Sequence, residues 1–183
     1  MSTIYSVAAS LDGFVAAPGD DLDWLLQFGF DAFQEHHDRF TAGVGAVAMG
    51  STTYEWLRAH EDTWPYQDKV TWVFSSRSLG VPTDGDVRVV SGDVRDHHGQ
   101  VVASAGGRDL WIVGGGVLAA QYQRAGLLDE LRVTVMPIAL GAGTSLLPVA
   151  SDTGVLDLVG TTVFDGGAVE LHYRRRARPE MCM

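Results

Sequence analysis

Short apolar runs alternate with helical patterns along most of the chain, and glycine, proline and aspartate residues separate them. The apolar runs have the length of β-strands, whereas side chains that recur every three or four residues indicate helices. This pattern predicts strands over residues 4–11, 44–49, 70–74, 87–90, 110–113 and 131–138. It predicts helices over residues 31–41, 52–60, 94–105 and 117–125.

The last part of the chain follows a different pattern. Residues 155–164 and 168–174 read as two strands, and they flank Asp165-Gly166-Gly167, a strong signal for a β-hairpin. Strand–helix repeats followed by a hairpin predict an α/β fold. Its central sheet is expected to be largely parallel, with an antiparallel C-terminal hairpin.

The length and composition bound the organisation of the chain. A chain of 183 residues suits one domain, predicted over residues 1–175, with a basic, flexible tail over 176–183. The lone cysteine, Cys182, cannot form an internal disulfide. No apolar run is long enough to cross a bilayer, and the N-terminus lacks the basic segment of a signal peptide. We therefore expect a cytoplasmic protein.

The charged residues exclude several classes of function. A net charge of −10 argues against sequence-independent binding to nucleic acid, which needs a concentrated basic face. The only lysine, Lys69, has no glycine loop before it, so the chain lacks a P-loop. The pairs His36-His37 and His97-His98 match no zinc motif, and no metal site is predicted.

The strongest local feature is the glycine triplet Gly114-Gly115-Gly116, which joins an apolar strand directly to a helix. Glycines let the backbone turn sharply and approach a ligand, and a helix N-terminus offers free N–H groups to an anion. The triplet therefore predicts a pyrophosphate site, although a tight turn without a ligand is the alternative. Because the glycines are contiguous, they lack the spacing of a standard Rossmann motif.

Two further strand ends carry groups that suit a phosphate. Gly50 is followed by Ser51, Thr52 and Thr53 at the start of a predicted helix, where a simple helix cap is the alternative. The stretch 75–77, Ser-Ser-Arg, ends another strand. Strand ends of a parallel sheet meet at one edge, so the three together favour a shared dinucleotide crevice.

Taken in order, these stretches resemble the dihydrofolate-reductase superfamily, nearest to the stand-alone relatives of the reductase domain of riboflavin biosynthesis. The resemblance extends from near residue 4 to near residue 174, and the matching stretches are residues 9–16, 49–55, 113–118 and 126–131, Pro137 and residues 140–143. It implies a three-layer dihydrofolate-reductase-like fold. It also implies an NADPH-dependent reductase that passes a hydride to a small heterocyclic substrate, such as a pteridine, a pyrimidine or a folate-like molecule.

The resemblance also implies a set of site residues. The expected cofactor contacts are Ala9 and Val15 beside the nicotinamide, Gly50, Ser51, Thr52, Thr53, Val113, Gly114, Gly115, Gly116, Val117 and Leu118 around the phosphates, and Ser75, Ser76 and Arg77 near the adenosine. Thr134 matches a threonine that lines the substrate pocket.

The chain departs from the family pattern at two positions. Phe14 stands where riboflavin reductases usually carry a lysine, which leaves a phosphorylated ribityl substrate in doubt. Ser51 stands where dihydrofolate reductases carry an arginine, so one usual contact to the 2′-phosphate is lost. Arg77 is then the cation expected to favour NADPH over NADH.

The proton donor is the least defined role. The resemblance places an acid on the helix before the second strand, where Glu35 is our choice because it falls between apolar Phe33 and Phe40. Asp23, beside Trp24, is the second candidate, and a surface position for Glu35 is the alternative. Two other functions stay open: a non-catalytic dinucleotide-binding protein, and a nucleotide-sugar or flavin enzyme. Relatives often pair through their late strands, which implies a homodimer.

Overall fold

The computed structural model describes residues 1–176 as one large sheet with helices on both faces. The strands are β1 (Thr3–Ser10), β2 (Phe14–Ala16), β3 (Val44–Gly50), β4 (Val70–Phe74), β5 (Val87–Val90), β6 (Asp109–Gly114), β7 (Glu130–Met136), β8 (Thr144–Ser145), β9 (Leu156–Val163) and β10 (Val169–Arg175). The helices are α1 (Asp23–Leu26), α2 (Gln34–Ala42), α3 (Ser51–His60), α4 (Val94–Ser104) and α5 (Gly116–Arg124).

The large sheet has eight strands in the order β5-β4-β3-β6-β1-β7-β10-β9. The first six strands in this order, β5-β4-β3-β6-β1-β7, are parallel to one another. Strand β10 runs antiparallel to both of its neighbours, β7 and β9. This arrangement confirms the predicted parallel sheet with an antiparallel C-terminal hairpin. The short strands β2 and β8 form a separate antiparallel pair, in which Phe14 lies opposite Ser145.

Alternating side chains on the central strands build the two cores. On β3, Ala46 and Ala48 pack in the core that α4 and α5 cover, whereas Val47 and Met49 pack in the core that α3 covers. Because the central strands are buried on both faces, they read as continuous apolar runs in the sequence. The result is the predicted three-layer α/β fold.

The long strands begin and end close to their predicted bounds, and the differences are local. Helix α2 begins at Gln34 because the residues before it form a turn. The short elements α1, β2 and β8 lie in segments where the sequence pattern predicted no helix or strand. The predicted tail over 176–183, with Cys182, lies outside the described residues apart from Arg176, which donates to Asp157. None of the helices in residues 1–176 is long and apolar enough to span a membrane.

Candidate functional site

A cleft of about 840 Å³ opens where β3 and β6 end, and it continues along β1 and β7 to β10. The carboxyl ends of parallel strands are the usual ligand-binding edge of an α/β sheet. One end of the cleft is formed by the starts of α3 and α5. The other end is formed mainly by aromatic side chains.

Two helix N-termini meet at the first end of the cleft. Gly50 precedes α3 and Gly115 precedes α5, and in the described part of the chain no side chain caps either helix. By contrast, Asp93 caps α4 by accepting a hydrogen bond from Arg95 N. The two uncapped ends are close, since a Cβ placed on Gly115 would lie 3.6 Å from Gly50 N. Their free N–H groups and partial positive charges suit an anionic group.

The three glycines of the β6–α5 turn are each required for a different reason. A Cβ on Gly114 would lie 2.7 Å from Oγ1 of Thr53, and one on Gly116 would lie 2.7 Å from the carbonyl oxygen of Leu146. Gly115 has room for a Cβ, but its φ of +87° is a left-handed conformation that other residues adopt only at a cost. The triplet therefore brings backbone, without side chains, to the edge of the cleft.

Most of the predicted cofactor residues line this cleft. They are Val15, Gly50, Ser51, Thr52, Thr53, Val113, Gly114, Gly115, Gly116, Val117 and Leu118. Ala9 does not: it is buried and absent from the lining, and Ala8, the preceding residue of β1, lines the cleft instead. Trp56 and Gln121 line the cleft as well and were not expected from the sequence.

The predicted adenosine contacts lie outside the lining of the cleft. Ser75 shapes the turn after β4, because its Oγ accepts a hydrogen bond of 2.9 Å from the backbone N of Arg77. The Arg77 guanidinium donates from Nη2 to Oε2 of Glu55 on α3 at 2.7 Å. Ser76 is exposed beside them. The three residues therefore lie together in the turn after β4, and none of them lines the cleft.

Aromatic rings surround the second end of the cleft. They are Phe30, Phe33, Phe40, Trp111 and Phe164. His37 also lines this end and meets the rings of Phe30 and Trp111 edge to face. Burial lowers the pKa of His37, so its imidazole is neutral near neutral pH. These surfaces suit a flat, apolar ring.

Neither predicted proton donor reaches the cleft. The Glu35 side chain is 90% exposed and pairs with Arg39 on the same helix at 2.7 Å. Asp23 begins α1 and is also exposed. Because successive residues of a helix point about 100° apart, the residues of α2 that line the cleft are His36, His37 and Phe40 rather than Glu35. The expected acid on α2 is therefore replaced at the cleft by histidine.

A buried acid does lie at this end of the cleft, on another element. Glu170 of β10 lines it and pairs with Arg132 at 2.8 Å. Thr134, the predicted substrate-pocket residue, lines the cleft directly opposite Glu170 across the β7–β10 pair. The sequence did not reveal Glu170 as a site residue. Glu170, His172 and Arg174 occupy alternate positions of one strand, and such a polar series is typical of a face exposed to solvent. The only signal was the complementary charge of Arg132 on the neighbouring strand.

A model of the RibD C-terminal domain matches residues 2–169 of the chain. The chain belongs to the RibD C-terminal domain family. Among its relatives is YwjB of Bacillus subtilis (strain 168), an uncharacterized protein that is 33% identical over 173 residues, which cover 94% of this chain and 97% of YwjB.

Two solved structures share the fold of this RibD C-terminal domain. One, a protein from Shewanella sp. PV-4 assigned to riboflavin biosynthesis, is 28% identical, with a TM-score of 0.81 over 97% of this chain and all (100%) of the other. The second is the dihydrofolate reductase of Enterococcus faecalis, solved with NADP(H) and RAB-propyl. It is 17% identical, with a TM-score of 0.65 over 96% of this chain and 97% of that chain. The dihydrofolate-reductase-like fold expected from the sequence is therefore confirmed.

The end of the cleft at the starts of α3 and α5 lacks cationic side chains in its described lining. Ser51 lines the cleft, and none of the described lining residues is a lysine or an arginine. Phe14 lies in β2 and is not part of the lining, whereas Val15 is. In the described lining, the groups that could attract an anion are therefore the two helix N-termini rather than lysine or arginine side chains.

Proposed function

We propose that this chain is an NADPH-dependent reductase that transfers a hydride to a small heterocyclic substrate, such as a pteridine, a pyrimidine or a folate-like molecule. The observation that carries the proposal is the meeting of two uncapped helix N-termini, at Gly50 and Gly115, at one end of a largely apolar cleft. The family membership and the shared fold of a reductase solved with NADP(H) support the same reading.

The residues of the phosphate end fit a dinucleotide. A pyrophosphate needs several N–H donors at close range, and the starts of α3 and α5 supply them without competing caps. The missing side chain at Gly115 leaves the turn open on the side of Gly50. The hydroxyl groups of Ser51, Thr52 and Thr53 add further donors along the same edge.

The aromatic end fits a flat substrate. A bound reduced nicotinamide would supply the hydride, with Val15 and Ala8 as apolar neighbours in the lining. The rings of Phe33, Trp111 and Phe164 would hold the substrate and exclude water from it. The polar groups at this end, including Thr134, would orient the substrate by hydrogen bonds.

Two measurements test this function. Titration with NADPH, followed by its fluorescence, should show saturable binding that NADH shares more weakly. Oxidation of NADPH, followed at its near-ultraviolet absorbance, should then depend on an added pteridine, pyrimidine or folate-like substrate. Failure of both reduced dinucleotides to bind would contradict the proposal at its first step.

One observation favours a second candidate, a protein that binds a dinucleotide without catalysis. Glu35 and Asp23, the expected proton donors, both lie outside the cleft. Saturable NADPH binding, with no substrate-dependent oxidation across the three substrate classes, would support this second function over the first. Substrate-dependent oxidation would exclude it.

We also propose that the chain forms a homodimer through its late strands. Strand β9 is the edge of the large sheet, and Leu158 and Val163 on it are mostly exposed. An apolar edge strand is a poor surface to leave in water, and a second copy of the chain would cover it.

A further inference from the structure

A row of polar residues runs along the paired strands β7 and β10, on one face of the sheet. We call it the polar ladder; its members are Glu130, Arg132 and Thr134 on β7, which lie opposite Arg174, His172 and Glu170 on β10. Ion pairs link its members, with Arg132 bound to Glu170 and Arg174 bound to Glu130. Of these six residues, only Thr134 and Glu170 line the cleft.

The contacts of Glu170 use only one of its two oxygens. Oε1 accepts hydrogen bonds from Arg132, at 2.8 Å from Nη2 and 3.3 Å from Nε, and lies 3.0 Å from Nε2 of His36. No hydrogen bond within residues 1–176 reaches Oε2. A carboxylate oxygen that lines a cleft and lacks a partner is a strong acceptor for a ligand.

The surroundings of Glu170 fix its position and balance its charge. The Glu170 side chain is almost fully buried, and the Arg132 guanidinium beside it packs 4.8 Å from the ring of Phe40. His36 meets the ring of Phe164 edge to face, which holds the imidazole against Glu170. Because Arg132 already neutralises the carboxylate, a ligand does not need a positive charge to bind there.

We propose that Oε2 of Glu170, together with the hydroxyl of Thr134, is the substrate-recognition edge of the cleft. It takes a neutral, flat heterocycle that presents adjacent N–H donors, such as an amino group beside a ring N–H. This proposal rests on the proposed function, because it describes the substrate half of the same site. Glu170 has the role of a binding residue, and the ion pair with Arg132 holds its carboxylate in place.

The chemistry of the neighbouring side chains selects this class of ligand. Aromatic rings line the cleft around Glu170, so the faces of the ligand must be apolar. An anionic group in the same position would meet the carboxylate and pay for the repulsion. Thr134 lies directly opposite Glu170 in the strand register, and such pairs have Cβ atoms about 4.5–5.5 Å apart. Two polar groups at that spacing match two neighbouring donors on one ring edge.

The test uses pterin, a neutral heterocycle with an amino group next to a ring N–H, and follows its fluorescence on titration with the full chain. Glu170→Gln should weaken pterin binding by roughly ten- to a hundredfold, the effect of losing a charged hydrogen-bond acceptor. Thr134→Val, which leaves the ion pairs intact, should weaken it several-fold. A pterin whose N–H hydrogens are all replaced by methyl groups should bind the wild type no better than pterin binds Glu170→Gln.

Glu130→Gln is the matched control. Glu130 is also a buried acid of the polar ladder, paired with His172 at 2.6 Å and with Arg174, but it does not line the cleft. Its variant should bind pterin like the wild type. Equal losses in Glu130→Gln and Glu170→Gln would show a structural effect and overturn the proposal, as would equal binding of pterin and methylated pterin.

The outcome can be separated from that of the proposed function. Pterin binding is measured without a dinucleotide, and NADPH binding is titrated separately for each variant. Glu170→Gln and Thr134→Val should leave NADPH affinity unchanged. A wild type that binds NADPH but not pterin would contradict the recognition edge alone, whereas one that binds pterin but neither dinucleotide would contradict only the reductase function.

Discussion

Arg77 donates a hydrogen bond of 2.7 Å from Nη2 to Oε2 of Glu55, although Arg77 is the cation expected to contact the 2′-phosphate of NADPH. The side chains are 58% and 46% exposed, respectively, so water screens the pair. The described lining of the cleft contains no lysine or arginine. To favour NADPH over NADH, the Arg77 side chain must therefore leave Glu55 and contact the 2′-phosphate of NADPH. The preference for NADPH should therefore be smaller than a buried arginine would give.

Glu55→Gln should raise the affinity for NADPH and leave the affinity for NADH unchanged. The substitution removes the negative charge that competes with the 2′-phosphate for Arg77, and exposed pairs of this kind are worth about 0.2–1 kcal/mol, or roughly up to fivefold in affinity. Arg77→Ala should lower NADPH affinity by a similar factor without changing NADH binding. Parallel titrations of both cofactors check this; a change that affects NADPH and NADH equally would exclude contact of Arg77 with the 2′-phosphate.

Gly115→Ala should weaken dinucleotide binding far more than its effect on stability explains. At a φ of +87° a residue with a Cβ is strained, which lowers the free energy of unfolding by about 1–2 kcal/mol. The methyl group would also occupy the space between Gly115 and Gly50, where the pyrophosphate is proposed to bind. The measurement is the affinity for NADPH beside the free energy of unfolding in urea.

Gly126→Ala provides the matched control for this strain. Gly126 follows α5 at its other end, with a φ of +71°, and it does not line the cleft. Its variant should lose a similar amount of stability and keep the affinity for NADPH. If Gly115→Ala binds NADPH as tightly as Gly126→Ala does, the assignment of the pyrophosphate to this turn is wrong.

The sequence predicted the fold and the glycine residues at one end of the cleft because those depend on local patterns. The strands buried on both faces are continuous apolar runs, and the glycine triplet reflects the close packing of Gly114 and Gly116 against neighbouring atoms. Both features can be recognised in a few consecutive residues. The short elements α1, β2 and β8 have no such pattern, since each contains only two to four residues.

The aromatic end of the cleft could not be predicted in the same way, because its polar lining depends on long-range pairing. Whether Glu35 or His36 faces the cleft is decided by the rotation of α2, which its apolar residues define only loosely. The place of Glu170 follows from its register with Thr134 and from the ion pair with Arg132, both of which join distant parts of the chain. Periodicity alone reads such a strand as facing solvent.

Val163→Lys should convert a homodimer into a monomer. Val163 is 75% exposed on the edge strand β9, and a lysine there would place a charge in an apolar contact between two copies. Light scattering at micromolar concentration should give a dimer for the wild type and a monomer for the variant. Val81→Lys, at another exposed apolar position away from β9, should leave the dimer intact. A monomeric wild type at physiological salt would contradict the proposal.

Asp12 should contribute stability that disappears in acid. Its Oδ1 accepts hydrogen bonds from Oγ of Ser10 at 2.6 Å and from N of Leu140 at 3.0 Å, and its Oδ2 accepts one from N of Gly141 at 2.6 Å. These bonds, that from Ser10 foremost, lower the pKa of Asp12 from 3.8 to about 2. The carboxylate thus ties the end of β1 to the loop after β7.

The sign of the pH dependence follows from the lowered pKa. A carboxyl group whose pKa is lower in the folded state stabilises it fully above its unfolded value, and this contribution is lost as the pH falls toward the folded value. Asp12→Asn should therefore be less stable than the wild type at neutral pH, and the difference should shrink between about pH 4 and about pH 2. Urea unfolding across this range measures it, with Asp62→Asn as an exposed control that should show no such change. A difference between the wild type and Asp12→Asn that stays constant down to the lowest pH would mean that the charge of Asp12 does not hold the end of β1 to the loop after β7.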